Sequence, residues 1–336
     1  MFTIVLLDVF EKLFRYTTPM PETFIKFIEY SLAPIGYIFS ANQRIYWLYL
    51  LSAIVLMLLS AWYSKKRLLP LLQASLKKKY WFNHSTSIDI KWIILNQILA
   101  VLLILPILTG QITWSITTYK LLLAWFGDGE FVSWPSEYVT LFFTIVLFTI
   151  DDFSRFFIHY CYHKIPFLWR FHAIHHSAKI MTPLTLYRIH FVEYAINSAR
   201  ALLITGTVGG TFMYLFNGKI GLFEVLGVSL LTMLFNLAGA NLRHSHIWLS
   251  FGKFEQIFIS PAQHQIHHSS AKHHLDKNFG SALAIWDRLF GSWLCSSNQE
   301  VKKFGLFQQS SPQSIKKQWL GLRPKKMRSN RNSLNT

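Results

Sequence analysis

The chain has 336 residues, 52% of them hydrophobic, and a formal net charge of +17. It is long enough to bury a large apolar surface as one or two domains. Its two cysteines, Cys161 and Cys295, exclude a disulfide framework, a thiolate zinc site and an iron–sulfur cluster built by this chain alone. The positive charge does not point to nucleic acid. Lys and Arg gather beside apolar runs, at Lys65 to Arg67, Lys77 to Lys79 and Lys316 to Arg331, which is the positive-inside pattern of membrane proteins.

Met1 to Phe10 lack a basic leader and a small-residue cleavage site, so an interfacial helix is predicted there rather than a signal peptide. Apolar runs follow at Tyr46–Trp62, Trp92–Thr109, Tyr138–Ile150, Ala195–Phe216 and Ile220–Ala240. Several lie near the ~20 residues that cross a bilayer, Tyr46–Trp62 being the clearest. The third runs into Asp151 and Asp152, the fourth carries Arg200 and the fifth Glu224, so four to five spans are expected. Residues 1–135 read as membrane anchor and packing helices, punctuated by Pro34, Pro70 and Pro106, with His84 as a polar loop residue. Residues 136–293 carry the other thirteen histidines and read as the catalytic region. The polar, basic stretch 294–336 reads as a loosely attached tail. Placing the loop from Lys65 to Lys91 in the cytoplasm brings almost every histidine to that side. The expected fold is therefore all-α: a multi-pass, integral-membrane helical bundle with a cytoplasmic helical cap that carries the histidines.

"HYCYH" sets His159 and His163 four residues apart, on one face if the third run continues as a helix. "FHAIHHSAK" then offers His172, His175 and His176, and "QHQIHHSSAK" repeats the spacing with His264, His267 and His268. "NLRHSH" adds His244 after the fifth run. These nine are the candidate metal ligands, with each triplet expected to serve one of two matching ions. His246, His273 and His274 neighbour a stronger candidate or fall outside a repeated spacing, and read as ligands, as supports of a ligand or as bystanders. Asp152, about two turns before His159, is a candidate to orient an imidazole, against the alternative that it pairs with Arg155. Asp276, Asn278 and Asp287 are candidates for hydrogen bonding around the last box. His190, near Arg188 and Glu193, reads either as part of a structural network or as facing substrate. No His-Glu-x-x-His string occurs, nor the Glu-x-x-His of soluble di-iron bundles. Imidazole suits zinc, copper, iron and nickel alike.

"DDFSRFFIHYCYH", "WRFHAIHHS", "RIHFVE", "SPAQHQIHH" and "DKNFGSALAIWDRLFGSW" together resemble the fatty acid hydroxylase/sterol desaturase superfamily over residues 136–293. The family order is His-x(3)-His, His-x-x-His-His, one histidine after a membrane hairpin, and His-x-x-His-His again. The resemblance implies that the nine histidines bind two iron ions. It also implies that O2 is a co-substrate and that a fatty acyl chain or sterol is hydroxylated or desaturated. His190 matches an Arg-x-His-Pro-x-Glu position of the family, with Phe191 in place of the proline, and Tyr160 replaces a frequent arginine. Asp152, His190 and Asp276 are the non-ligand residues expected to assist. With no G-x-G-x-x-G fingerprint in the chain, the electrons are expected from a separate reductase or small carrier. A metal transporter and a zinc hydrolase are the rival classes. The first calls for ligands near mid-bilayer and the second for a placed general base.

Overall fold

The computed structural model describes residues 33–63, 73–128, 132–218, 224–225, 228–307 and 315–321. The interfacial helix expected at residues 1–10, the basic run 65–67 and most of the basic tail lie outside them. The described chain is dominated by helix: α1 (Trp47–Tyr63), α2 (His84–Phe126), α3 (Ser136–Lys164), α4 (Pro166–His176) and α5 (Phe191–Leu215). After a two-residue antiparallel pair, Glu224–Val225 with Val228–Ser229, come α6 (Leu230–Leu237), α7 (Pro261–His267) and α8 (Ile285–Leu289), separated by 3-10 turns and loops.

Local signals account for the main starts and stops. Asn83 caps α2 by accepting the Thr86 N–H at 3.0 Å, and Gly127 ends it with φ of 72°. The helix includes His84 and Lys91, which the sequence assigns to a loop, and runs on through Pro106. At 43 residues it is about 60 Å long. Pro166 opens α4, a position where its missing N–H leaves no bond unmade. Ser260 and Gln263 form a reciprocal capping box, with Pro261 as the first residue of α7.

Helix α5 lies along α2 on a seam of small residues. A Cβ on Gly206 would come within 2.7 Å of Trp114 Cδ1, and one on Gly210 would strike the Ser115 carbonyl oxygen. The bare backbone lets the two helices approach closely. Val139 and Phe143 of α3 pack on Val208, Phe212 and Phe216, fastening α3 to α5. Ile88 and Trp92 of α2 pack on Ala173 and Ile174 of α4 with Leu306.

Two expectations change. Within the described residues the run Ile220–Ala240 is not one spanning helix, because Glu224–Val225 pairs with Val228–Ser229 and α6 has only eight residues. Nor do the described parts of the tail hang loose. Trp92 Nε1 donates to Gln318 Oε1 at 2.8 Å, Arg170 donates to the Leu320 carbonyl at 3.0 Å, and Ser269 bridges to Phe304. Polar composition mislabelled this stretch, since it is recruited by hydrogen bonds that an apolar count does not register. Among the described residues, no helix is long and apolar enough to cross a membrane.

One buried ion pair joins these layers. Arg188 Nε donates to Asp89 Oδ1 at 2.6 Å, with both side chains at 1% exposure or less. Arg188 also donates to the Ser85 carbonyl at 2.6 Å and to Ser177 Oγ at 3.2 Å, directly after the last histidine of α4. Thr185 donates to the other Asp89 oxygen. Removing one partner strands a buried charge, at a cost of about 3–5 kcal/mol. Asp89→Ala is therefore expected to lower the thermal unfolding midpoint in neutral detergent sharply. An unchanged midpoint would contradict this role for the pair.

Candidate metal centre

The nine histidines converge from α3, α4, the 3-10 turn Ala240–His244 and α7 with its C-cap His268. They form two groups, in each of which the potential ligand atoms lie within 4.8 Å of one another. One contains His159, His163, His172, His176 and His267; the other contains His175, His244, His264 and His268. The groups abut, with the His176 and His268 rings stacked at 4.5 Å.

Each triplet is split between the groups, which corrects the expectation of one triplet per ion. On α4 the first and last histidines, His172 and His176, enter the five-membered group, while His175 enters the other. On α7, His264 and His268 enter the four-membered group and His267 crosses to the first. The i, i+4 pair shares a helix face and the i+3 ring projects to its side. Two copies of the motif therefore do not match the ions one to one, and the spacing alone does not reveal the exchange.

The hydrogen bonds fix which ring nitrogen is bare. His159 Nδ1 lies 2.7 Å from the Phe279 carbonyl and His267 Nδ1 lies 2.8 Å from the Lys277 carbonyl. A carbonyl only accepts, so both Nδ1 atoms carry the proton and both Nε2 atoms present lone pairs. His172 Nδ1 meets Glu193 Oε1 at 3.0 Å and His163 Nδ1 meets Asp276 Oδ1 at 3.4 Å, with the same consequence. Burial, reinforced by neighbouring rings, holds the histidines of the cluster below the usual imidazole range, and His175 falls to about 4. They are neutral donors.

The bare Nε2 atoms of His159 and His172 therefore face each other at 3.1 Å, and the bare Nε2 of His163 stands 3.2 Å from His176 Nε2. In the second group His264 and His244 stand at 3.1 Å, and His244 and His175 at 3.3 Å. The buried Nε2 atoms of His267 and His268 have no hydrogen-bond partner at all. Lone pairs opposed in this way repel unless a cation lies among them. Nitrogens about 2.1 Å from one ion and at right angles would be about 3.0 Å apart, which fits the observed edges. The donor set thus suits one metal ion in each group.

The supporting residues differ from the sequence reading. Asp152 orients no histidine: its oxygens accept from the Ala282 and Leu283 N–H groups at 2.7 and 3.0 Å and from Trp286 Nε1 at 3.0 Å. It pins α3 to the segment before α8, and Arg155 pairs with Asp151 instead. His190 caps α5 through Nδ1, which accepts the Val192 N–H, and donates through Nε2 to the Trp319 carbonyl. Fully buried and occupied at both nitrogens, it is an architectural residue. Asp276 does meet a box histidine, though that of the first box, and its bond to His163 with the Lys164 ion pair holds its carboxyl down at about 2. Asn278 and Asp287 shape the loop, the first through the Leu294 backbone and the second through the Phe279 and Gly280 N–H groups. His246 and His274 bond Ser75 and Gln299, while His273 is exposed, all outside the two groups.

Glu193 and the carbonyls of Lys277 and Phe279 were not singled out as imidazole partners. Glu193 stands three residues after His190, and its carboxyl is pushed up to about 7 by burial, with Oε2 lacking any partner. The carbonyls carry no side-chain signal, but "DKNF" does: Asp276 and Asn278 adopt φ of 57° and 58°, a conformation Asp and Asn tolerate, and so turn Lys277 and Phe279 toward the rings. His264→Ala and His267→Ala are expected to act on different ions. Each variant should lose about one bound metal per chain by plasma mass spectrometry while keeping the other. Retention of both metals, or loss of both, in either variant would contradict the assignment.

Residues 144–292 match the family model for fatty acid hydroxylase. Over 160 residues the chain is 28% identical to an ornithine lipid hydroxylase, OlsE, of Rhizobium tropici, covering 48% of this chain and 44% of that one. It is 25% identical over 150 residues to the alkylglycerol monooxygenase of Homo sapiens, covering 45% and 30% of the two chains. It is also 28% identical over 174 residues to the fatty acid hydroxylase vlmA of a Lecanicillium species, covering 48% and 42%. The chain thus spans less than half the length of these relatives. No solved structure matches. The matched stretch holds all nine clustered histidines, and over it the chain is similar to the fatty acid hydroxylase family.

Proposed function

We propose that the chain is a membrane-embedded di-iron oxygenase that hydroxylates an unactivated C–H bond of a lipid. The observation that carries this reading is the pair of abutting histidine groups with converging Nε2 atoms. The five-membered group would hold one iron and the four-membered group the other. Iron so held supplies O2 activation and removal of a hydrogen atom from carbon, a task for which a purely imidazole shell is suited. The relatives named as lipid hydroxylases and as a monooxygenase support the same chemistry.

The chain's own residues hold and orient. The carbonyls of Lys277 and Phe279, with Glu193 and Asp276, fix the tautomers and planes of four rings. A cavity of about 410 Å³ reaches His159, His172, His175, His244 and His264, and is closed on other sides by Tyr162, Leu186 and Ile189. Such a volume suits part of a lipid rather than a whole one. One oxygen atom would enter the product and the other leave as water, with electrons from a separate reductase or small carrier, since the chain has no dinucleotide fingerprint or cluster cysteines.

The surface favours a bilayer as the source of substrate. Trp47, Leu51, Ile54, Leu59 and Trp62 of α1 are each 48% exposed or more, and Leu141, Phe142 and Ile145 of α3 are likewise exposed. Contiguous apolar surface of this kind is costly in water and stable against acyl chains. With the basic runs on the cytoplasmic side, the histidine groups would face that side too.

Expression in a host that lacks the chain, followed by lipid mass spectrometry, tests the proposal. A lipid gaining one oxygen atom is expected, and it should vanish with His267→Ala. A product that instead loses two hydrogens would assign desaturation to this site. No lipid change from metal-loaded protein supplied with a reductase would overturn the reading.

A further inference from the structure

The cavity beside the histidine groups is lined by four arginines, Arg44, Arg155, Arg200 and Arg243, against one carboxylate, Glu193. Two of the four are neutralised. Asp151 accepts from Arg155 and from Arg200, each at 2.6 Å. The other two are not: among the described residues, neither Arg44 nor Arg243 forms an ion pair with Asp or Glu. Glu193 is already engaged with His172.

Arg44 and Arg243 stand together. Both guanidinium groups lie over the Phe235 ring, at 4.9 and 4.7 Å from its centroid, which holds them in place without neutralising them. Arg243 makes one hydrogen bond, to the Ile259 carbonyl at 2.7 Å, and is only 3% exposed. A guanidinium keeps its charge at neutral pH. A buried guanidinium and a half-buried one side by side, neither in an ion pair, are expensive to maintain. A guanidinium presents several N–H donors in a planar fork that matches a carboxylate or phosphate.

We propose that Arg44 and Arg243 bind an anionic group of the substrate, a carboxylate or a phosphate, in the cavity beside the four-membered histidine group. This assignment of substrate class rests on the lipid-hydroxylase reading. Arg243 immediately precedes His244, so the anion would be held next to a metal-binding residue. Tyr194, Asn197 and Ser198 add polar atoms to the cavity, so the charged end of the substrate enters it and the apolar remainder stays toward the lipid.

The test uses the purified full chain in a neutral detergent, with octanoate, octyl phosphate and octanol as probes in titration calorimetry. Metal content and lipid-hydroxylating activity are measured on the same material. At least one anion should bind about tenfold or more tightly than octanol, and which one does separates carboxylate from phosphate. Arg44→Gln should erase about tenfold of that affinity, whereas Lys272→Gln, at an exposed position, should not. Octanol binding as tightly as both anions overturns the proposal, as does Arg44→Gln binding them undiminished. If Arg44→Gln fails to fold, the three-probe comparison on the unaltered chain decides alone. A metal-loaded, hydroxylating protein with no anion preference sinks only this inference. An anion-selective protein that binds no metal sinks the hydroxylase reading and leaves the anion site standing.

Discussion

Neutral imidazoles whose Nε2 atoms converge to 3.1–3.3 Å are the constraint around which this structure is organised. In water such rings would separate, and in a buried site without a cation they would repel. In the five-membered group the Nδ1 atoms of His159 and His267 meet carbonyls and those of His172 and His163 meet carboxylates, so rotation or tautomer exchange of these four rings would sacrifice a buried contact. The arrangement makes physical sense as a pair of cation sites that folding assembles in advance.

The helices supply the stiffness this requires. Each box lies at a helix end, where a rigid rod gives way to a loop that can be shaped. Helix α3 delivers His159 and His163 in its last turns, α4 is clamped by the Asp89–Arg188 network just beyond His176, and α7 starts from a double-bonded cap. The glycine seam between α2 and α5 keeps the frame narrow, and Asp152 ties α3 to the loop whose carbonyls orient His159 and His267. Residues far apart in the chain reach one centre because each is carried by an element with a separate anchor.

Much of this was legible in the residues themselves. The two His-x-x-His-His strings, the His-x(3)-His pair and His244 name the nine converging rings, because histidine spacing on a helix translates directly into direction. The splitting of each triplet between two groups was not legible, since it depends on how α4 and α7 face each other. Asp152 was misread because a carboxylate near a ligand helix and one that accepts backbone N–H groups look alike in sequence. His190 was ambiguous for the same reason, and its capping role needs the fold. The run Ile220–Ala240 has the apolar content of a span, yet Glu224 and Gly227 interrupt it and a strand pair forms instead. The tail misled in the opposite sense: few apolar residues, but Gln318, Trp319 and Leu320 each contact the helical body.

The charge pattern completes the picture. Histidine groups made for cations sit in a cavity whose uncompensated side chains are themselves cationic, so the site is electrostatically incomplete without metal-bound or substrate anions. The most direct test of the central claim is X-ray absorption at the iron edge on the purified, iron-loaded chain. The account requires a nitrogen shell near 2.1 Å with the outer-shell scattering of several imidazoles per iron. A shell dominated by water or carboxylate oxygen with few imidazoles, or a correctly folded chain that takes up no iron, would contradict it.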